Sequence, residues 1–426
     1  LNDTIQKKNL GAFYTPTLYA EKSLELVREA IKRVPKGNDY IILDRCAGTG
    51  NLELGLTDEE KSHTILSTVE YYEYKVLLEI LGDKVRYIIP PTEKEDTFNM
   101  GLVRGADALS EEYINNPVIK QYIDNPKCTI ILFENPPYAE TTSLEHQRLK
   151  QAKGSSGWKN SFVVSQMKKD VKGAVSNDLG NAFIWSGFKY YLRQPTDSYI
   201  VYSPVKYWKA QHLINKQFIN GFAFNRRFFH TNIDACIMVA QWENVDRNLE
   251  ELFLRAFDIA ESNELIDCGI LPVKRIYKLF STQYYEKRSF VDCCTNGILV
   301  GLNGLEADNS VKRRIKPIYS NEMLGYLVAD SVGFDNPDAK SSLLVAGRYN
   351  GNGCYLHKDN FIDKLPMFAA SRYITYNRTW TERARIMKSA DGYIRYNKDV
   401  VNGKLSNYLL KVLIFTIFEM QNHMRS

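Results

Sequence analysis

The sequence predicts an α/β protein built on a doubly wound, mostly parallel sheet, and three observations carry that reading. Thr129 to Phe133 is an unbroken apolar run of strand length, the pattern of a strand buried on both faces of a parallel sheet. It stops at Asn135-Pro136-Pro137-Tyr138, because two prolines cannot continue a ladder. Tyr40 to Leu43 is a second such run, closing on Asp44 and the glycine-rich turn Ala47-Gly48-Thr49-Gly50. Helical-period stretches lie between the runs. Both turns therefore fall at carboxyl ends of buried strands, where open α/β sheets hold their ligands.

Taken in order, Ala20, Leu24, Val27, Ile31 and Val34 recur as one apolar helix face, with Thr15 as N-cap, Pro16 as first helical residue and Pro35-Lys36-Gly37 as the stop. The strand Tyr40–Leu43 turns through Ala47, Gly48 and Gly50 into a helix begun near Asn51. The glycines permit positive φ and close backbone approach to a ligand. No Gly-Lys-Ser/Thr follows, so this is not a P-loop. The second strand, Thr64 to Val69, ends in Glu70, an acid placed to accept both hydroxyls of a ribose. Tyr71 and Tyr72 follow, rings that could pack on an adenine. A third strand, Val85 to Ile89, precedes a polar excursion and then Gly105-Ala106-Asp107-Ala108-Leu109.

Beyond Tyr138, residues 139–177 form a long, basic, unpatterned run that includes Lys159 and reads as a lid over the site. Leu179 to Leu192 is predicted as a helix and Ser198 to Ser203 as a strand. Phe222 to Phe229 and Ala235 to Trp242 read as an antiparallel closing hairpin. The sheet is thus expected to have seven strands and to be complete near residue 245. Residues 246–270 read as an acidic linker. Residues 271–426 hold 23 Lys and Arg against 14 Asp and Glu, where residues 1–270 hold 32 against 36. A basic carboxyl part beside a mildly acidic amino part suits a division between nucleic-acid grip and small-molecule chemistry. Arg313, Arg314, Arg372 and Arg378, interleaved with aromatics, join Lys159 as the cations expected on nucleic-acid phosphates.

With 426 residues, 44% hydrophobic and 25% charged, the chain is expected to hold two or more globular domains. No apolar run reaches the roughly 18–20 residues of a membrane span. The run at residues 409–418 is shorter and carries Lys411. Seven scattered cysteines without Cys-x-x-Cys spacing point to a reducing compartment and away from zinc. A start at Leu1 and a stop after Ser426 suggest a piece of a longer polypeptide.

The chemistry of Asn135 to Tyr138 is specific. An exocyclic amine on an aromatic ring is a poor nucleophile, since its lone pair is delocalised. The Asn135 side-chain oxygen and the Pro136 carbonyl can accept its two N–H bonds and draw the nitrogen towards tetrahedral geometry. Pro137 stiffens the turn, and Tyr138 offers a ring face for a planar base. A plain strand terminator with a core tyrosine is the bland alternative.

Asn135-Pro136-Pro137-Tyr138 resembles the catalytic motif of S-adenosylmethionine-dependent amino-methyltransferases, above all the N6-adenine DNA methyltransferases. The segment order resembles the gamma class found in restriction–modification systems, either type II modification enzymes or type IIG fused enzymes. The resemblance covers roughly residues 9 to 245. It implies a Rossmann-like methyltransferase sheet and S-adenosylmethionine as cofactor. Tyr14, Thr15 and Pro16 would close over its methionine end, and Asp44 would meet its amino group. Ala47, Gly48 and Gly50 would wrap the methionine part. Glu70 would hold the ribose, and Asp107 would accept from the adenine amino group. Trp242 would stack the second face of a flipped adenine, with Phe228 or Phe229 as runner-up. Double-stranded DNA is the implied partner, in a prokaryotic cytoplasm, with a nuclease outside these residues as a further expected one. No metal is required. N4-cytosine, RNA or protein amino groups remain alternative substrates, and a non-catalytic DNA-specificity module is an alternative of another class.

Overall fold

The computed structural model describes residues 15–90, 106–138, 157–229 and 236–275, together with short strands and a few residues beyond. The chain divides into two compact units, Leu1–Arg275 and Ile276–Ser426.

The first unit is one nine-stranded sheet flanked by helices. Helix α1 (Thr17–Lys32) buries Ala20, Leu24 and Val27 of the expected face together with Tyr19 and Ala30, whereas Ile31 is half-buried and Val34 lies beyond the helix. Pro16, not Thr15, is its N-cap, and it makes no side-chain cap bond. That one-residue shift leaves the Thr15 hydroxyl available to the site. Strand β1 (Asp39–Asp44) runs into consecutive turns through residue 55, and no helix begins at Asn51. The short helix α2 (Asp58–Ser62) starts later, under a capping box of Thr57 and Glu60. Strand β2 (Thr64–Leu66) is half the expected length, and Glu70 is the N-cap of α3 (Tyr71–Leu81). Strand β3 (Tyr87–Ile88) is followed, after residues outside the described set, by α4 (Glu111–Ile114) and α5 (Pro117–Ile123). Strand β4 (Cys128–Glu134) is buried at every residue, as its apolar run requires.

Part of the expected lid is ordered chain. Helix α6 (Phe162–Asp170) follows a helical turn at residues 157–160, while residues 139–156 lie outside the described set. Helix α7 (Leu179–Ser186) continues as a π-helical turn to Tyr191. Strand β5 (Ser198–Pro204), helix α8 (Lys206–Lys209), strand β6 (Lys216–Asn225) and strand β7 (Cys236–Asp246) follow.

Residues 246–270 are not a linker. They form strand β8 (Glu251–Ile259), parallel to β6, and most of strand β9 (Leu265–Lys274), antiparallel to β8. The sheet order is β3-β2-β1-β4-β5-β7-β6-β8-β9, so the closing hairpin is not the edge. Neighbours among β1 to β5 are parallel, and β7 is antiparallel to both β5 and β6. Strand order reverses between β1 and β4, which makes their carboxyl ends the topological switch point where such sheets bind ligands.

In the second unit the backbone pairs β10 (Ile298–Val300) with β11 (Arg314–Lys316). It also sets β12 (Met323–Ala329) between β13 (Ser341–Leu344) and β14 (Asn352–His357). Among the described residues no helix is long and apolar enough to cross a membrane.

Candidate active site at the β1–β4 switch point

β1 and β4 pair in register from Asp39↔Cys128 to Leu43↔Leu132. Continued by two residues, the same register sets Arg45 opposite Glu134, and their side chains meet. Arg45 Nε donates to Glu134 Oε2 at 3.0 Å, and both side chains are fully buried. Arg45 also donates to Ser186 Oγ and to the Phe183 carbonyl, each at 2.8 Å. The Tyr199 hydroxyl donates to Glu134 Oε1. The Tyr191 ring lies 4.7 Å from the guanidinium carbon. This buried, multiply bonded pair joins the first residue after Asp44 to the last residue before Asn135. The two turns are thereby held as one body.

The glycine-rich turn is pinned from its other side. Ser67 N–H donates to the Asp44 carbonyl and Ala47 N–H to the Ser67 carbonyl, each at 2.9 Å, which ties the turn to the end of β2. Gly48 and Gly50 have φ of +58° and +85°, the positive values expected of them. A Cβ on Gly50 would sit 2.8 Å from Leu81 Cδ1, so α3 closes against the turn. Ala47 packs on the Leu66, Leu77 and Leu81 cluster.

Asp44 is fully buried. Its Oδ1 accepts from Cys46 N–H at 2.8 Å. Its Oδ2 has no hydrogen-bond partner among the described residues, and neither carboxylate oxygen of Glu53, also fully buried, has one. Burial, then the neighbouring Glu53 and Glu134, pushes the Asp44 carboxyl well above the usual range. Burial pushes Glu53 up to about 7. Buried polar groups are normally paired, so three acceptor oxygens without a partner under a glycine turn are an exception among the described residues. Asp44, Cys46 and Glu134 bring one ligand atom each within 4.8 Å of one another. However, Glu134 is committed to Arg45 and Tyr199, and burial raises the Cys46 thiol. The trio is therefore a poor set of metal ligands.

At the end of β4 the Asn135 amide is fixed from one side. Its Nδ2 donates to Thr15 Oγ1 at 2.8 Å, which presents Oδ1 on the other side. Oδ1 accepts from the Tyr138 hydroxyl. Tyr138 is folded inward, buried at 8% exposure, and burial raises its phenol well above the ordinary value. The ring expected to face a base is packed, and its hydroxyl occupies the Asn135 oxygen that the sequence reading assigns to an amine. Pro136 is buried and Pro137 half-buried. A Cβ on Gly180 of α7 would lie 3.0 Å from the Tyr207 ring and 3.4 Å from the Pro137 carbonyl, so the absent side chain gives the turn its room.

The remaining expected residues divide by place. Glu70 is half-buried beside the Ser67-anchored end of β2, on the side of the glycine turn. Asp107 Oδ1 accepts from Leu109 N–H at 3.0 Å in a local turn, and Ser110, not Asp107, caps α4. The segment reaches the site through Tyr113, whose hydroxyl bonds Ser67 Oγ at 2.5 Å. Trp242 is a correction. It pairs with Tyr199 near the start of β5, at the opposite edge of the sheet, and is wholly buried against Phe218. The runner-up lies at the carboxyl edge of the sheet. Phe228 follows the carboxyl end of β6, is half-buried, and packs edge-on to Tyr19 beside the Arg227 guanidinium. Lys159 is half-buried in the turn before α6. Arg314 begins β11, where only its backbone is described. Tyr14, Arg313, Arg372 and Arg378 lie outside the described residues.

Sequence reasoning missed Arg45, Glu53 and Glu134 as a group. A signal existed: a cation and an acid stand at equivalent ends of two buried apolar runs.

No family model matches the sequence, and no curated protein sequence matches it. Among solved structures the chain is similar to the DrdV–DNA complex seen by cryo-electron microscopy, with 15% identity and a TM-score of 0.38 over 59% of this chain and 28% of that one. It is similar to the methyltransferase subunit of a type I restriction-modification system from Streptococcus thermophilus, with 15% identity and a TM-score of 0.37 over 62% of this chain and 56% of that one. It is also similar to the type IIL restriction-modification enzyme MmeI in complex with DNA, with 13% identity and a TM-score of 0.32 over 62% of this chain and 41% of that one. The chain thus matches less than two thirds of the length of each of these proteins.

Proposed function

We propose that the chain transfers a methyl group from S-adenosylmethionine to the N6 amino group of an adenine in double-stranded DNA, as the modification activity of a restriction–modification system. The observation that carries this is Asn135. Its side-chain oxygen stands at the carboxyl end of β4, oriented by Thr15 and joined through Glu134 and Arg45 to the turn below Asp44.

The residues suit the cofactor. Open carboxylate oxygens of Asp44 and Glu53 match a cationic amino group, and the positive φ of Gly48 and Gly50 bends the backbone tightly beside them. Bound S-adenosylmethionine would supply an electrophilic sulfonium methyl. The rest falls to the chain's own groups. Asn135 Oδ1 and the Pro136 carbonyl accept the two N–H bonds of the target amine and turn its lone pair towards the methyl. A proton leaves the nitrogen as the C–N bond forms. Catalysis is orientation and placed acceptors, without a covalent intermediate. An adenine inside a duplex cannot reach this turn, so it must be flipped out, at a cost of a few kcal/mol. Tyr138 must swing aside as the amine takes its place on Oδ1, and the freed ring then offers a face to the base. Phe228, just past the carboxyl end of β6, would take the second face.

The test is transfer of tritiated methyl from S-adenosylmethionine to mixed-sequence duplex DNA, with nucleoside analysis of the product. Label is expected in N6-methyladenine and is expected to fall about 100- to 1,000-fold in Asn135→Ala, the scale for losing one placed hydrogen-bonding group. Label in N4-methylcytosine would keep the site and change the base. Label in RNA or protein but not DNA would overturn the substrate.

A further inference from the structure

The Asp44–Glu53 pair has a stoichiometry that a single-acid receptor does not. Three of its four carboxylate oxygens, Asp44 Oδ2 and both of Glu53, have no hydrogen-bond partner among the described residues. The fourth, Asp44 Oδ1, is taken by the Cys46 backbone. An ammonium group has three N–H donors and no acceptor, so one ammonium supplies as many donors as the pair has open oxygens. With no cation present, the two carboxyls lie close enough to bond to each other, which requires a proton between them. Two adjoining buried carboxylates cannot both ionise cheaply. The surroundings do not relieve this. Glu134 adds a third acid from β4, Arg45 is spent on Glu134, the Cys46 thiol is buried, and the α3 side is closed by Leu77 and Leu81.

Resting on the S-adenosylmethionine reading above, we propose that Asp44 and Glu53 form a paired ammonium receptor. The pair holds one shared proton when no cation is present and releases it to solvent when the cofactor's amino group enters. The balance is simple. A singly protonated pair plus an ammonium gives two carboxylates, the bound ammonium and one free proton, with no covalent bond made or broken beyond that O–H. The upward shift of both acids through burial is in the required direction. Cofactor affinity should then rise with pH, up to about tenfold per unit while the pair is protonated, and level off above.

The test is calorimetry of S-adenosylmethionine binding to the full chain at pH 6 and 7, in phosphate and in imidazole, whose ionisation heats differ. That range lies below the α-amino pKa of about 7.7–8.0, so the ligand itself arrives charged. Wild type is expected to release between about half a proton and one proton, and its affinity to rise several-fold between the two values. Glu53→Gln should bind with little release, because an amide can donate to Asp44 without a proton. 5′-Methylthioadenosine, which lacks the amino acid part, should release none from wild type, a comparison that holds even where the variant does not fold. Binding of S-adenosylmethionine with equal heats in the two buffers and a flat affinity would overturn the proton exchange and leave the methyl-transfer reading standing. No binding at any pH would overturn the methyl-transfer reading, and this proposal with it.

Discussion

Two edges of one sheet treat buried acids in opposite ways. At the amino-terminal edge of β4 and β5, Asp197 is fully buried and fully employed. Its Oδ1 accepts from Ile130 N–H at 2.8 Å, and its Oδ2 from Arg193 and Gln194 N–H, each at 2.7 Å. At the carboxyl edge of β1 and β4, Asp44 and Glu53 are just as buried, and three of their oxygens are left open. Burial raises all three acids, but at Asp197 three backbone N–H groups oppose the rise, whereas at Glu53 burial carries the value to about 7. An acid that the backbone consumes is part of the fold. An acid buried with open oxygens costs stability, and in the reading proposed above it is kept for a ligand that arrives.

The largest test of that contrast is the strut between the two turns. Breaking a buried ion pair leaves an uncompensated charge, so Arg45→Met should lose about 3–5 kcal/mol in denaturant unfolding. Arg45→Met combined with Glu134→Leu should recover most of it. A double variant that regains stability without regaining methyl transfer would show that the pair aligns the turns as well as holding them.

Next comes pH. The folded pKa values of Asp44 and Glu53 lie above their unfolded values. The native chain therefore binds more protons than the unfolded chain between those values. Its stability is fully present below the unfolded pKa and is lost as pH rises through the folded one. In the absence of cofactor the stability should fall between about pH 4.5 and pH 7, by an amount on the order of 3 kcal/mol, and the melting temperature with it. Glu53→Gln should flatten the slope. A melting temperature that climbs through that range would contradict the open-acid reading.

Asp197→Ala offers the complementary result. It strands backbone donors at the other edge and should cost about 1–3 kcal/mol of stability, with kcat per folded molecule unchanged. The smallest expected effect is Thr15→Val, which keeps the shape and removes the oxygen that Asn135 Nδ2 reaches. A hydrogen bond worth about 1 kcal/mol implies a fall in kcat of roughly fivefold. Cofactor affinity should hold within twofold. A loss of affinity instead would favour the role in closing over the cofactor that the resemblance implied for Thr15.

The same contrast explains what was legible in the sequence. Strand β4 and the turn at Asn135 were legible because a continuous apolar run and two prolines are local signals. The glycine turn was legible for the same reason, although the helix expected after it was not, since turns through residue 55 replace it. Strands β8 and β9 were missed because their acidic flanks suggested a linker, while the alternation of Leu252, Leu254 and Ala256 towards the core is a period-2 pattern that was present. Trp242 was misplaced because an aromatic in a closing strand carries no mark of which edge of the sheet it occupies; the antiparallel register with β5 decides that. The couplings that build the site were beyond local reading. Arg45 meets Glu134 across 89 residues and Asn135 meets Thr15 across 120.

The most direct measurement is where the cofactor sits. Ultraviolet irradiation of the chain with S-adenosyl[methyl-³H]methionine, followed by digestion and peptide mapping, should place label in peptides carrying Asp44 to Glu53 or Asn135 to Tyr138. Excess S-adenosylhomocysteine should suppress it. Label confined to peptides from the Asp197 edge, or label that the competitor does not displace, would contradict the assignment of the β1–β4 switch point as the active site.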